Sequence, residues 1–168
     1  MKFENLKCID VDVNLDDYLK LYEYVRSNME FPHWLGTFTL EEIKDILNCG
    51  GKIWLYYNNN DLVCSVFYIP PSQITLDKRG INTKEIDTGS LGPIMVSPDY
   101  IGNGFMSKML EVFDIYCISI NKKYVFTKVH SDNIYSINNM YKDGYDLINE
   151  YDSDRGKTSV FLKKLFKD

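Results

Sequence analysis

Histidine is scarce and cysteine is unpaired. The only histidines are His33 and His130, and Cys8, Cys49, Cys64 and Cys117 stand apart with no Cys-x-x-Cys pair. A structural zinc site, which clusters nitrogen and sulfur ligands, is therefore not expected, and neither is a disulfide framework. Cys64 and Cys117 lie inside apolar runs, as buried free thiols in a reducing cytosol would. Positive charge is also short: 19 Lys and Arg against 24 Asp and Glu leave a net charge of −5 and a pI near 5.1. That balance argues against nucleic acid or an anionic membrane as the main partner, while a cationic small molecule or peptide would be tolerated. No apolar run approaches the roughly 20 residues that span a bilayer. The opening Met1-Lys2-Phe3-Glu4-Asn5 has no apolar core of the signal-peptide kind, so a cytoplasmic location is expected. Internal repeats, low-complexity tracts and linkers are absent from the sequence.

What remains is an ordinary globular composition, 45% hydrophobic and 14% aromatic over 168 residues. The length suits one domain across 1–168 with a sizeable core, as a monomer or homodimer. Lys7 to Val13 predicts a strand, and Asn14 then caps a helix with Asp16 and Asp17 in its first turn. Leu15, Tyr18, Leu19, Tyr22, Val25 and Met29 mark its buried face. Phe31-Pro32-His33-Trp34-Leu35-Gly36 is an aromatic loop that can line a substrate cleft or close over a sheet edge. Thr39-Leu40-Glu41-Glu42 is a capping box opening a second helix, which Gly50-Gly51 stops. Lys52–Tyr57 and Leu62–Ile69 form a hairpin around Asn58-Asn59-Asn60-Asp61. Ser72 to Ser90 is polar and long for a connection, the profile of a lid or binding loop. Lys123–Val129 predicts another strand, a helix capped within His130–Asn133 runs to about Tyr141, and a final hairpin turns at Asp152–Gly156.

The chain is organised around Leu91 to Ile120. Ile94–Val96 is a short apolar strand closed by Pro98, and Gly102-Asn103-Gly104 follows. From Met106 the apolar positions 106, 109, 110, 113, 116, 117 and 120 trace one helical face. A strand, a Gly-x-Gly turn and a helix start together aim backbone N–H groups and a helix dipole at one point, a natural pyrophosphate site. A dinucleotide fold would need a third glycine where Ser107 stands, and repeated βαβ units for which too little chain follows.

The element order and the residues Leu91-Gly92-Pro93-Ile94-Met95-Val96-Ser97-Pro98-Asp99-Tyr100-Ile101-Gly102-Asn103-Gly104 resemble the GCN5-related N-acetyltransferase superfamily. Val96, Pro98, Tyr100, Gly102 and Gly104 fit its central signature, V-x-P-x-Y-R-G-x-G-[IL]-G/A. Ile101 stands where Arg or Gln is usual, and Met106 where Gly or Ala is usual. Asn133-Ile134-Tyr135-Ser136-Ile137 and Gly144-Tyr145 fit the second signature, N-x-x-[AS]-[IV]-x(6)-G-[FY].

The resemblance implies an α/β (α+β) fold: a mixed, mostly antiparallel sheet of about seven strands with helices on both faces. It implies acetyl-CoA as co-substrate and direct acetyl transfer to a primary amine of a small molecule or peptide. It places coenzyme binding on Met95, Val96, Ile101, Gly102, Asn103, Gly104, Phe105, Met106, Ser107, Asn133 and Ser136. The Ile94–Val96 strand is expected to splay from the Lys123–Val129 strand, so that the pantetheine arm pairs with exposed backbone. The family's general acid, a Tyr seven residues after the Asn, falls in register on Met140, with Tyr141 next to it as the candidate. Glu85 and Asp87 are the candidate bases, with His33 behind them. A non-catalytic acyl-CoA-binding or regulatory domain on the same fold is the alternative.

Overall fold

The computed structural model describes residues 5–9 and 15–166. Its elements run β1 (Leu6–Ile9), α1 (Leu15–Ser27), α2 (Leu40–Asn48), β2 (Lys52–Asn58), β3 (Asp61–Ile69), α3 (Gln73–Lys78), β4 (Thr88–Val96), α4 (Phe105–Ser119), β5 (Tyr124–His130), α5 (Ile134–Lys142), β6 (Asp146–Ser153) and β7 (Gly156–Lys164). The strands form a seven-stranded sheet in the order β1-β2-β3-β4-β5-β7-β6. The β1–β2, β2–β3, β5–β7 and β6–β7 pairs are antiparallel and β4–β5 is parallel, so the sheet is mixed and mostly antiparallel, as expected. Among the described residues no helix is long and apolar enough to cross a membrane.

Contacts group the chain into two compact units: Met1–Ile69 with Gly92–Glu111, and Pro70–Leu91 with Val112–Asp168. In the first unit, β1 matches the start of the predicted strand; Asp10–Val13 and the Asn14 cap lie outside the described residues. α1 turns Leu15, Tyr18 and Leu21 into a core with Ile43, Leu47, Ile53, Leu55, Phe67 and Met95. Leu21 was absent from the predicted face, while Leu19, Tyr22 and Val25 pack at that core's margin. The Thr39 capping box forms as read: Glu42 N–H donates to Thr39 Oγ1 (3.1 Å) and Thr39 N–H to Glu42 Oε2 (2.6 Å). The β2–β3 register closes on Asn58↔Asp61. That leaves Asn59, at φ +57°, in the left-handed conformation Asn tolerates.

In the second unit, Leu76 and Ile81 pack with Phe126 and Val160 into a separate cluster. This corrects the reading of Ser72–Ser90 as a long loop. The segment holds α3, a 3-10 turn at Glu85–Asp87 and the first residues of β4. Ser72 caps α3 by accepting the Thr75 N–H at 3.2 Å. Two apolar residues set into a polar stretch suffice, because each is fully buried (0% and 2% exposed). The final hairpin turns at Asp154-Arg155, between Ser153 and Gly156.

Candidate functional site

The strand, turn and helix start around residue 100 belong to the first unit. Ser97 N–H donates to Val63 O at 2.7 Å, anchoring the end of β4 to β3. Pro98–Tyr100 then makes a 3-10 turn closed by Tyr100 N–H to Ser97 O at 2.9 Å. Side chains hold this turn from outside: Tyr100 OH donates to Asp61 Oδ2 (2.9 Å) and Tyr24 OH to Asp99. Asn103 is spent on the turn itself, its Nδ2 donating to Tyr100 O at 3.0 Å.

Gly102 and Gly104 have φ of +86° and +76°, a conformation that side-chain-bearing residues adopt only under strain. A Cβ built on either glycine meets nothing within 4 Å. The glycines are thus demanded by backbone conformation, and the space above them is open. Gly104 O accepts the Lys108 N–H at 3.3 Å, which makes Gly104 the residue before the first turn of α4. Phe105 and Ser107 sit in that first turn, where an α-helix supplies no acceptor for its N–H groups. The partial positive charge there suits a phosphate. Ile101 is 69% exposed and Met106 half-buried, so neither fills the space over the glycines.

Lys108 was not singled out in the sequence. It lies in α4 four residues after Gly104, with Nζ 4.8 Å from the centroid of the Phe105 ring, which also contacts the Tyr56 and Tyr100 rings. A lysine four residues past a Gly-x-Gly turn was a legible signal for an anion. Nearer the core, Met95 is buried at 1% and Val96 half-buried. His33 lies in a short 3-10 turn, edge-on to the rings of Phe31 and Trp34.

The remaining candidates lie in the second unit. The parallel register of β4 with β5 covers only Thr88↔Tyr124, Gly89↔Val125 and Ser90↔Phe126. At the next position the Thr127 hydroxyl, a side chain, donates to Leu91 O at 3.1 Å. Asn133 caps α5, its Oδ1 accepting the Ser136 N–H at 3.2 Å. α5 is regular: Ile137 N–H reaches Asn133 O at 3.0 Å and Asp143 N–H reaches Asn139 O at 3.0 Å. Met140 therefore points into the core (2% exposed), while Tyr141 lies one helical step round, half exposed, its ring edge-on to Phe161.

Glu85 and Asp87 share the 3-10 turn before β4, and both have partners. Glu85 Oε2 accepts the Gln73 N–H at the start of α3 (2.6 Å), and Gln73 Oε1 accepts the Glu85 N–H (2.9 Å). Asp87 pairs with Lys123 at 3.3 Å. These are capping and pairing roles. Cys64 and Cys117 are buried, and burial pushes each thiol up to about 12, which leaves neither as a nucleophile at neutral pH.

A mixed seven-stranded sheet with a Gly-x-Gly turn opening its longest described helix defines an α/β class, and solved structures give the particular fold. The chain superposes on a probable acetyltransferase from Staphylococcus epidermidis with a TM-score of 0.75, 14% identity, and coverage of 95% of this chain and 98% of that one. Ard1 from Thermoplasma volcanium gives 0.71 at 13% identity, covering 97% and 99%. The ribosomal-protein-S18-alanine N-acetyltransferase from Escherichia coli gives 0.68 at 12% identity, covering 97% and 96%. The fold is that of the GCN5-related N-acetyltransferases. No family's sequence profile matches the chain, and no curated protein matches it by sequence.

Proposed function

We propose that the protein is an acetyl-CoA-dependent N-acetyltransferase that moves an acetyl group directly to a primary amine of a small molecule or peptide. The observation that carries this reading is the open space above Gly102 and Gly104, at the first turn of α4. Backbone donors supply that cradle, so Ile101 and Met106, the two departures from the family signature, leave it in place. Acetyl-CoA supplies an activated thioester carbonyl. The backbone N–H of Met95 or Val96 is the candidate donor to the oxygen that gains charge during attack. The amine's proton passes to Glu85 or Asp87, the candidate bases, or to water; Gln73 and Lys123 hold the two carboxylates in place.

Acetyl-CoA is expected to stabilise the protein against heat. Present at about 100 times its Kd it adds about 2.7 kcal/mol. Melting curves with acetyl-CoA and with NAD test this; a shift with NAD alone would overturn the reading. A shift with acetyl-CoA, followed by no thiol release with any member of an amine library, would favour the non-catalytic binding module instead.

Tyr141 is proposed as the general acid toward the departing thiolate, acting from the exposed face of α5. Because coenzyme A's thiol is acidic enough to leave unassisted, Tyr141→Phe should lower kcat by at most about 10²–10³-fold. KM for acetyl-CoA should stay near its original value, and the alkaline limb of the pH–rate profile should flatten. Full kcat in the variant would remove Tyr141 from the mechanism.

A further inference from the structure

Several cations of the second unit face a carboxylate. Lys123 pairs with Asp87, Lys157 with Glu150, and Lys163 with both Asp114 and Asp143. Arg79, Lys128 and Arg155 do not: among the described residues none of the three forms an ion pair. The strand register explains why they come together. Lys128 on β5 faces Val160 on β7, and Val160 faces Asn149 on β6, so the three side chains share one face of the sheet. Asn149 Nδ2 donates to Arg79 O at 2.9 Å, which brings the end of α3 onto that face. Two residues along β5 from Lys128, His130 Nε2 meets Arg155 O at 2.8 Å and fixes the hairpin tip beside it.

The Arg79 guanidinium carbon lies 3.8 Å from the centroid of the Tyr151 ring, a cation–π contact. Its Nε is buried and has no hydrogen-bond acceptor. An orphaned buried donor on an arginine costs stability, and a ligand oxygen would satisfy it. Lys128 keeps an exposed side chain, yet desolvation, followed by repulsion from Arg79 and Arg155, holds its pKa below the ordinary lysine value. In a chain of net charge −5, three like charges gathered with no ion pair among the described residues are a local reversal of sign.

We propose that Arg79, Lys128 and Arg155 form a binding site for an oxyanion carried by the amine acceptor. This rests on the acetyltransferase reading and narrows it: acceptors are amines that also bear a carboxylate or a phosphate. On that reading the Gly102–Gly104 turn takes the coenzyme's pyrophosphate, so an oxyanion at this cluster is one that the acceptor carries. Arg79 supplies a planar fork against Tyr151, and Lys128 and Arg155 supply charges from the sheet and the hairpin tip. The net acidity of the chain acts at long range, whereas a bound group meets the charges beside it.

The test uses succinate and inorganic phosphate as probes, with calorimetry on the wild type and on the Lys128→Gln, Arg155→Gln double variant. Both side chains are exposed, so the variant should melt as the wild type does. The wild type should bind at least one probe, and the double variant about tenfold more weakly or worse, the range of one lost charge-assisted hydrogen bond. Equal binding by the two proteins, or no binding of either probe, would overturn the site. In turnover, amino acids should outperform their amides, and the variant should raise KM for the acidic amine while leaving kcat with a neutral amine unchanged. If the variant weakens coenzyme A but not its 3′-dephospho form, the charges serve the coenzyme and the proposal fails. Should acetyl-CoA not bind at all, probe binding that depends on Lys128 and Arg155 still upholds the oxyanion site, so the two readings fail separately.

Discussion

Gly104→Val is expected to abolish acetyl-CoA binding, with affinity falling more than about 100-fold by calorimetry, a loss of about 2.7 kcal/mol or more. Two effects combine. The valine must take up a φ of +76°, which costs a β-branched residue about 1–2 kcal/mol or more and lowers the melting temperature by several degrees. The side chain would also stand in the space above the turn, where the protein puts no atom within 4 Å of a Cβ. That space is where a phosphate must approach the first-turn amides. Gly104→Asn separates the two effects, because Asn tolerates the left-handed conformation yet still places a Cβ over the amides. Both variants should lose coenzyme, and only Val should lose much stability. Undiminished affinity in Val and Asn alike would show that the turn serves the fold alone.

This turn was legible in the sequence because its requirements are local. Two glycines at spacing two, a proline-closed strand before them and a helical apolar period after them occupy one contiguous stretch. The capping box at Thr39 and the Asn59 hairpin were legible for the same reason. α3 was not, because a six-residue helix carries too short a period to see. Its apolar residues Leu76 and Ile81 are buried against Phe126 and Val160, which lie far along the chain. The contact of Glu85 with Gln73 was not legible either, because the two stand twelve residues apart. Nothing local marks a glutamate as the cap of a preceding helix.

The charges were the least legible part. Net charge describes the field at long range, whereas a bound group meets the two or three side chains beside it. Lys128, Arg79 and Arg155 are scattered in sequence, and only the β5–β7–β6 register with the Asn149–Arg79 and His130–Arg155 contacts gathers them. The same holds for Asp114, Asp143 and Lys163, whose contacts span 49 and 20 residues.

Lys163→Ala should therefore be the most destabilising single substitution among those considered. Lys163 Nζ lies 2.5 Å from Asp114 Oδ2 and 2.7 Å from Asp143 Oδ2, with its side chain only 9% exposed. Its ammonium also lies 4.8 Å from the centroid of the buried Tyr145 ring. Removing it leaves two carboxylates facing each other in a partly desolvated site, and breaking a buried pair in this way costs about 3–5 kcal/mol. The loss should depend on pH in a defined direction. Burial holds the Asp114 pKa above the ordinary aspartate value, Lys163 pulls it down, and Asp143 pushes it up again. A carboxyl with a raised folded-state pKa binds its proton more tightly when folded. Its contribution to stability is thus fully present below the unfolded pKa and is lost as pH rises through the folded one. Without Lys163 the opposing pull disappears, the Asp114 pKa climbs further, and the window of loss extends upward in pH. Urea midpoints measured from pH 5 to pH 8 should show the variant falling behind the wild type as pH rises. Adding Asp114→Asn to Lys163→Ala should recover part of the stability and flatten that slope, since one of the two facing charges is gone. A deficit that stays constant across the range, or a double variant no better than Lys163→Ala alone, would mean that lost packing of the lysine stem, not uncompensated charge, accounts for the effect.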